Sequence, residues 1–177
     1  MSRRAVRAVA PGLAALLVAA CSTAPLATAV PTPGPDGAQA VAMVAAIRAA
    51  GAAVGDELDV QPLRDPMVED LREQARAFEQ TAQPARAAEA LDRALAIVAD
   101  DPALLQERAE AALLLGDVDT AAALALQAWR LGSRVGPLCR RHWETLHQLR
   151  QQAGDLPGAR SAQAQRDACT SAGPARY

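Results

Sequence analysis

Two cysteines, two histidines and a glutamate in the last third of this 177-residue chain are the side chains best placed to do chemistry. His142 and His147 stand five residues apart, which sets them about 140° around a helix and makes joint ligation of one ion awkward. Glu144 with His147 has the i, i+3 spacing of some metal-binding pairs, but a bundle site needs a second such pair, and the sequence has none. Cys139 and Cys169 belong to no Cys-x-x-Cys, so redox cycling and zinc binding are not indicated. Gly-x-Ser-x-Gly, a phosphate-cradling glycine loop and His-Glu-x-x-His are all missing. No enzyme, metal or cofactor is expected, and Trp129 and Trp143 read as packing residues.

The N-terminus opens with Arg3, Arg4 and Arg7, continues in a short apolar run through Leu13, Leu16, Leu17 and Val18, and closes on small residues. That is the pattern of a secretory leader, too short to span a bilayer comfortably. It ends in Val18-Ala19-Ala20-Cys21, which resembles the lipobox of bacterial lipoproteins, where an aliphatic residue and two small ones precede an invariant cysteine. The resemblance implies that residues 1–20 are removed, that Cys21 carries diacylglycerol through a thioether, and that its new amine is acylated. Several buried acyl chains anchor a protein stably where one would be marginal. The other reading is an ordinary cleavage site with Cys21 an incidental thiol. Ser22, where Asp would favour the inner membrane, implies by the same resemblance the outer membrane, facing the periplasm. Residues 21–36, with Pro25, Pro31, Pro33 and Pro35 among Ala, Thr and Gly, read as a tether reaching up to roughly 45 Å at about 3 Å per residue.

Apolar residues make up 51% of the chain and aromatics 2%, with alanine dominant, a composition suited to closely packed helices. Three of the 18 basic residues lie in the leader, and without them 15 face 20 acidic ones. A net negative chain with no basic stripe disfavours a nucleic-acid partner.

Apolar spacing through Met43, Ile47, Ala50 and Val54 suggests a helix over 37–50, then Gly51 and Gly55 weaken it, so 37–64 reads as an N-terminal helix of uncertain state plus a linker. From Asp65-Pro66 onward the pattern is regular. Leu71, Ala75, Ala77, Ala87, Ala88 and Ala94 recur 34 residues later as Leu105, Ala109, Ala111, Ala121, Ala122 and Ala128. Gly116-Asp117-Val118 with Ala121 recurs as Gly154-Asp155-Leu156 with Ala159, where Gly ends one helix and Asp caps the next. On these residues the chain resembles the tetratricopeptide repeat family, best over 102–135. Over 68–101 Ala82 replaces the turn glycine, and over 138–170 there is a four-residue insertion, with His147 at a small-residue position. The resemblance implies an all-α, short right-handed solenoid of about three helix-turn-helix hairpins over 65–170, capped by a polar last helix and followed by a flexible tail over 171–177.

Cys139 lies 15 residues before Gly154 and Cys169 lies 15 after it, so a chain reversal at that glycine brings the two thiols together. In an oxidising compartment such thiols are expected to form a disulfide. Family resemblance assigns partner binding to the concave face formed by the first helix of each hairpin. Here that face is expected to expose Glu69, Arg72, Arg76 and Glu79, then Gln106, Glu110 and Leu113, then Arg141, Glu144, Gln148 and Gln151. These are equally readable as plain solvated helix faces. The functional expectation is a membrane-anchored, non-catalytic interaction module for a protein or peptide of the cell envelope. A structural accessory subunit of an envelope assembly is the alternative, and an envelope hydrolase would need a catalytic cluster that the sequence lacks.

The anchor has a direct check. In the native host the wild-type chain is expected to carry lipid and to fractionate with membranes, whereas Cys21→Ala is expected to be soluble or to retain its leader. Identical behaviour of the two would remove the anchor.

Overall fold

The computed structural model describes residues 34–52 and 63–170; the leader, Cys21, most of the tether, residues 53–62 and the tail over 171–177 lie outside them. Seven helices run through the described residues: α1 (Gly37–Ala50), α2 (Pro66–Gln80), α3 (Pro84–Ile97), α4 (Pro102–Leu114), α5 (Val118–Leu131), α6 (Pro137–Gln152) and α7 (Leu156–Ala168). The fold is an all-α repeat.

The helix starts follow from local chemistry. Asp36, Asp65, Asp101, Asp117 and Asp155 each turn a carboxylate back onto amides of the first turn, satisfying donors that have no partner within the helix. Pro66 and Pro102 follow two of these caps at the position where a missing N–H costs nothing. The chain reverses between α4 and α5 at Gly116 (φ 76°) and between α6 and α7 at Gly154 (φ 74°). Ala82 makes the equivalent turn between α2 and α3 at φ 55°, in the left-handed region that Cβ disfavours.

Helices pair as α2–α3, α4–α5 and α6–α7, and the hairpins stack through α3 on α4 and α5 on α6. Alanines occupy the crossings: Ala75, Ala87 and Ala94 in the first hairpin, Ala109, Ala121 and Ala128 in the second, and Ala159 and Ala162 in α7 are all buried. A first cluster joins Val68, Leu71, Leu91 and Leu104 with Phe78 at its margin, and includes no residue of α1. Trp129 and Trp143 meet edge to face at 5.2 Å between α5 and α6, and the Arg134 guanidinium lies 3.8 Å over the Trp129 ring. At the open end of the last hairpin Cys139 and Cys169 are bonded to each other, with their Cα atoms 5.7 Å apart.

The helix over 37–50 packs on α4 and α6, the first helices of the second and third hairpins. It enters where Gly34 lies against the Gly116 carbonyl, so closely that a side chain at 34 would collide with that backbone. It buries Ala40, Met43, Val44 and Ile47, the last three in one cluster with Ala112, Leu113, Ala121 and Leu149. Its other end meets the start of α6, where Arg140 donates to the carbonyls of Ala50 (2.9 Å) and Ala52 (2.8 Å).

Ala82→Gly removes about 1–2 kcal/mol of left-handed strain and adds about 0.4–1 kcal/mol of unfolded-state entropy. A net rise in melting temperature of about 2–4 °C is expected, whereas Gly116→Ala should lower it. Calorimetry of the three chains checks both signs.

Candidate functional site

The concave face is not open, and this corrects the expectation that its eleven named residues are exposed. Arg72, Gln106, Glu110, Leu113 and Glu144 are buried; Glu69, Glu79, Arg141 and Gln148 are partly buried; only Arg76 and Gln151 are exposed. The physical reason is α1, which lies across α4 and α6 and covers Glu110 and Leu113. Arg72 and Glu144 are buried for other reasons. Arg72 forks onto Glu107 of α4 and also reaches Glu69 at 2.8 Å, bracing α2 against α4. Its attachment to Glu107 raises its proton affinity above the usual range. Glu144 turns away toward α7, where it accepts from Arg166 at 2.6 Å, and it also accepts from Gln148 at 2.6 Å.

Beneath α1 runs a polar seam. The carboxylate of Glu110, whose side chain has no exposed surface, accepts from Arg48 Nε of α1 at 2.8 Å and from Arg141 of α6. Gln106 Nε2 donates to the same carboxylate at 3.0 Å and to Thr145 Oγ1 at 2.9 Å. Arg48 also reaches Glu79 of α2 at 2.7 Å. Burial works against the Arg48 charge, but the attraction of Glu110 and its hydrogen bonds to Glu110 and Glu79 outweigh that and raise its proton affinity. One carboxylate thus ties three helices through two guanidiniums.

His142 closes the seam. Because the Gln106 amide nitrogen is committed to Glu110 and Thr145, its oxygen faces His142 Nδ1 at 2.7 Å, which makes Nδ1 the protonated nitrogen. Nε2 has no hydrogen-bond partner and His142 is fully buried. Burial, reinforced by the charge on Arg141, pushes its pKa down to about 3. His147 does unrelated work, its Nδ1 bonding the Ala159 carbonyl of α7 at 2.9 Å. The two histidines and Glu144 are therefore spread over different contacts, and no cluster among the described residues could hold a metal ion.

What remains open is a cleft of about 440 Å³ between α1 and α2. Its walls are Val41, Val44 and Ala45 of α1, Leu114 of α4, and the ends of Arg48, Arg76 and Glu79. Val41 is 60% exposed there. A second cleft of about 330 Å³ shares Arg48, Arg76 and Glu79 and reaches Glu107 and Arg141. The surface can hold an apolar side chain beside paired charges, and it offers no nucleophile with a base in reach. Arg76 and Glu79, named in the sequence as inner-face residues, line both clefts. Val41 was not, since its role depends on where α1 docks.

Among solved structures, this one is similar to that of the globular C-terminal domain of P. aeruginosa LpoP. The two are 26% identical with a TM-score of 0.56, and the match covers 59% of this chain and 99% of that one. No protein-family model matches the chain, and no curated protein matches it in sequence.

A buried neutral imidazole makes the fold sensitive to acid. The folded pKa of His142 lies below that of the unfolded chain, so its contribution is intact above about pH 6.5 and is lost as pH falls toward 3, because the unfolded state takes the proton. Between pH 7 and 5 the loss is about 2 kcal/mol. Denaturant titrations of wild type and His142→Gln at both pH values should differ in pH slope by that amount, and equal slopes would mean that the imidazole titrates normally.

Proposed function

We propose that the chain is a membrane-anchored, non-catalytic protein-binding module of the bacterial cell envelope. Residues 1–20 direct export, Cys21 holds the mature chain by lipid at the outer membrane facing the periplasm, and residues 21–36 are the tether. The array over 65–170 presents its inner helices to a protein or peptide partner. The observation that carries this reading is the inner face itself: α4 and α6 already seat a helix there, and an open cleft with apolar and charged walls continues over α2.

The likeness to a globular C-terminal domain supports the arrangement, since the array here also follows a long N-terminal stretch. The cysteine pair supports export, because such a bond persists in an oxidising compartment. A catalytic role draws no support from the side chains around the cleft, which are committed to one another.

The residues that report on binding must be exposed ones. Arg72 is buried and braces α2 to α4, so its reversal would disturb that packing, and Val41 and Arg76 are the positions of choice. With a photo-crosslinking side chain at Ala45, an exposed residue of the same cleft, of the full-length protein in intact cells, one envelope protein should be captured. Val41→Asp with Arg76→Glu should lose at least tenfold of that capture while the melting temperature moves by less than about 2 °C. Capture undiminished in the double variant would send the partner to another face, and capture of nothing in either would end the reading.

A further inference from the structure

We infer that the α1 seat on α4 and α6 is a docking site for a partner's amphipathic helix carrying α1's own pattern, and that α1 is its displaceable occupant. The inference rests on the protein-binding reading above and adds the site and the chemistry of the partner. The pattern is read from what the seat holds: apolar residues at Ala40, Met43, Val44 and Ile47 on one face, and an arginine at Arg48 directly after them. Those positions are i, i+3, i+4, i+7 and i+8, one helical stripe with a cation at its end.

Three features allow α1 to leave while the hairpins stay paired. Its outward face is largely exposed, so it is held from one side only. The first core cluster, formed by α2, α3 and α4, contains none of its residues, so that the three it gives to the second cluster, Met43, Val44 and Ile47, are the apolar contacts a competitor must replace. Finally, its departure leaves the buried carboxylate with partners, the loss falling on the Arg140 bonds to the Ala50 and Ala52 carbonyls. When Arg48 leaves, Glu110 still accepts from Arg141 and Gln106, and Glu79 lies at the solvent edge of the cleft. The emptied seat would be an apolar groove of Leu113, Ala112 and Leu149 with a carboxylate ready for a guanidinium, which selects a helix with arginine over an acidic one.

Because α1 is joined to α2 by only the residues between Ala50 and Pro66, it competes in cis at a high effective concentration. A partner helix therefore binds the intact chain weakly and a chain with weakened α1 docking strongly. The probe is a fluorescent peptide of residues 34–52 added to the full-length protein. It should bind Ile47→Asp at least tenfold tighter than wild type, and a peptide carrying Arg48→Glu should bind at least tenfold weaker than the unaltered one. Hydrogen exchange on the wild-type chain gives an answer even where Ile47→Asp does not fold: α1 amides should exchange at least tenfold faster than those of α4 and α5. Exchange of α1 only together with α4, or no peptide binding to folded Ile47→Asp, overturns the proposal. So does a concentration-dependent dimer that the peptide dissolves, which would assign the seat to a second copy. None of these readings depends on capturing an envelope protein in cells, so this inference and the one before it fail separately.

Discussion

A carboxylate with no exposed surface has to be neutralised where it sits, and Glu110 is in that position at the middle of the inner face. Its partners come from sequence positions far apart, Arg48 on α1 and Arg141 on α6, so satisfying one charge fixes how three helices meet. Removing every partner of such a group costs about 3–5 kcal/mol, whereas removing one of two leaves a smaller deficit. Gln106, Thr145 and His142 extend the constraint along α4 and α6, because each satisfies the polar atom of the next. Polar networks of this sort discriminate between registers that an apolar surface would tolerate.

That discrimination matters because the apolar core is uniform. Alanine at nearly every crossing lets helix axes come close but offers little shape to distinguish one alignment from another. The ends of the array need help of a different kind. On the last hairpin α7 buries only Ala159 and Ala162, and the covalent link between Cys139 and Cys169 adds about 3 kcal/mol for a loop of this length in the chain-entropy account. Arg166 on Glu144, and His147 and Arg150 on the carbonyls of Ala159 and Gly158, hold the same pair together from the polar side.

The repeat architecture could be read from the chain because its determinants are local. Asp65, Asp117 and Asp155 announce helix starts, Gly116 and Gly154 announce reversals, and the alanine register follows from period alone. The expectation that Gln106, Glu110 and Leu113 lie on the inner face came from the repeat resemblance. Their burial was not legible, because it is decided by a helix lying more than fifty residues earlier, whose apolar stripe says that it must pack but not on what. The same holds for Arg72 with Glu107 and for Arg140 with the carbonyls of Ala50 and Ala52, pairs that no local pattern connects. Ala82 is the opposite case: a missing glycine was visible, and the backbone makes the left-handed turn regardless.

Where the chain enters the array has a mechanical consequence. Gly34 rests on the Gly116 backbone at the very start of α1, and the last contacts of that helix, on Arg140, lie at its far end. Tension applied through the preceding residues and directed away from the array would load the first contact alone, then the next, peeling α1 off turn by turn. A helix pulled along its axis has to break all its contacts at once and resists far more. The disulfide, by contrast, sits on the final hairpin and lies outside this load path. The entry to the array is thus held by non-covalent contacts that a pull meets one after another, and its last hairpin by a covalent bond.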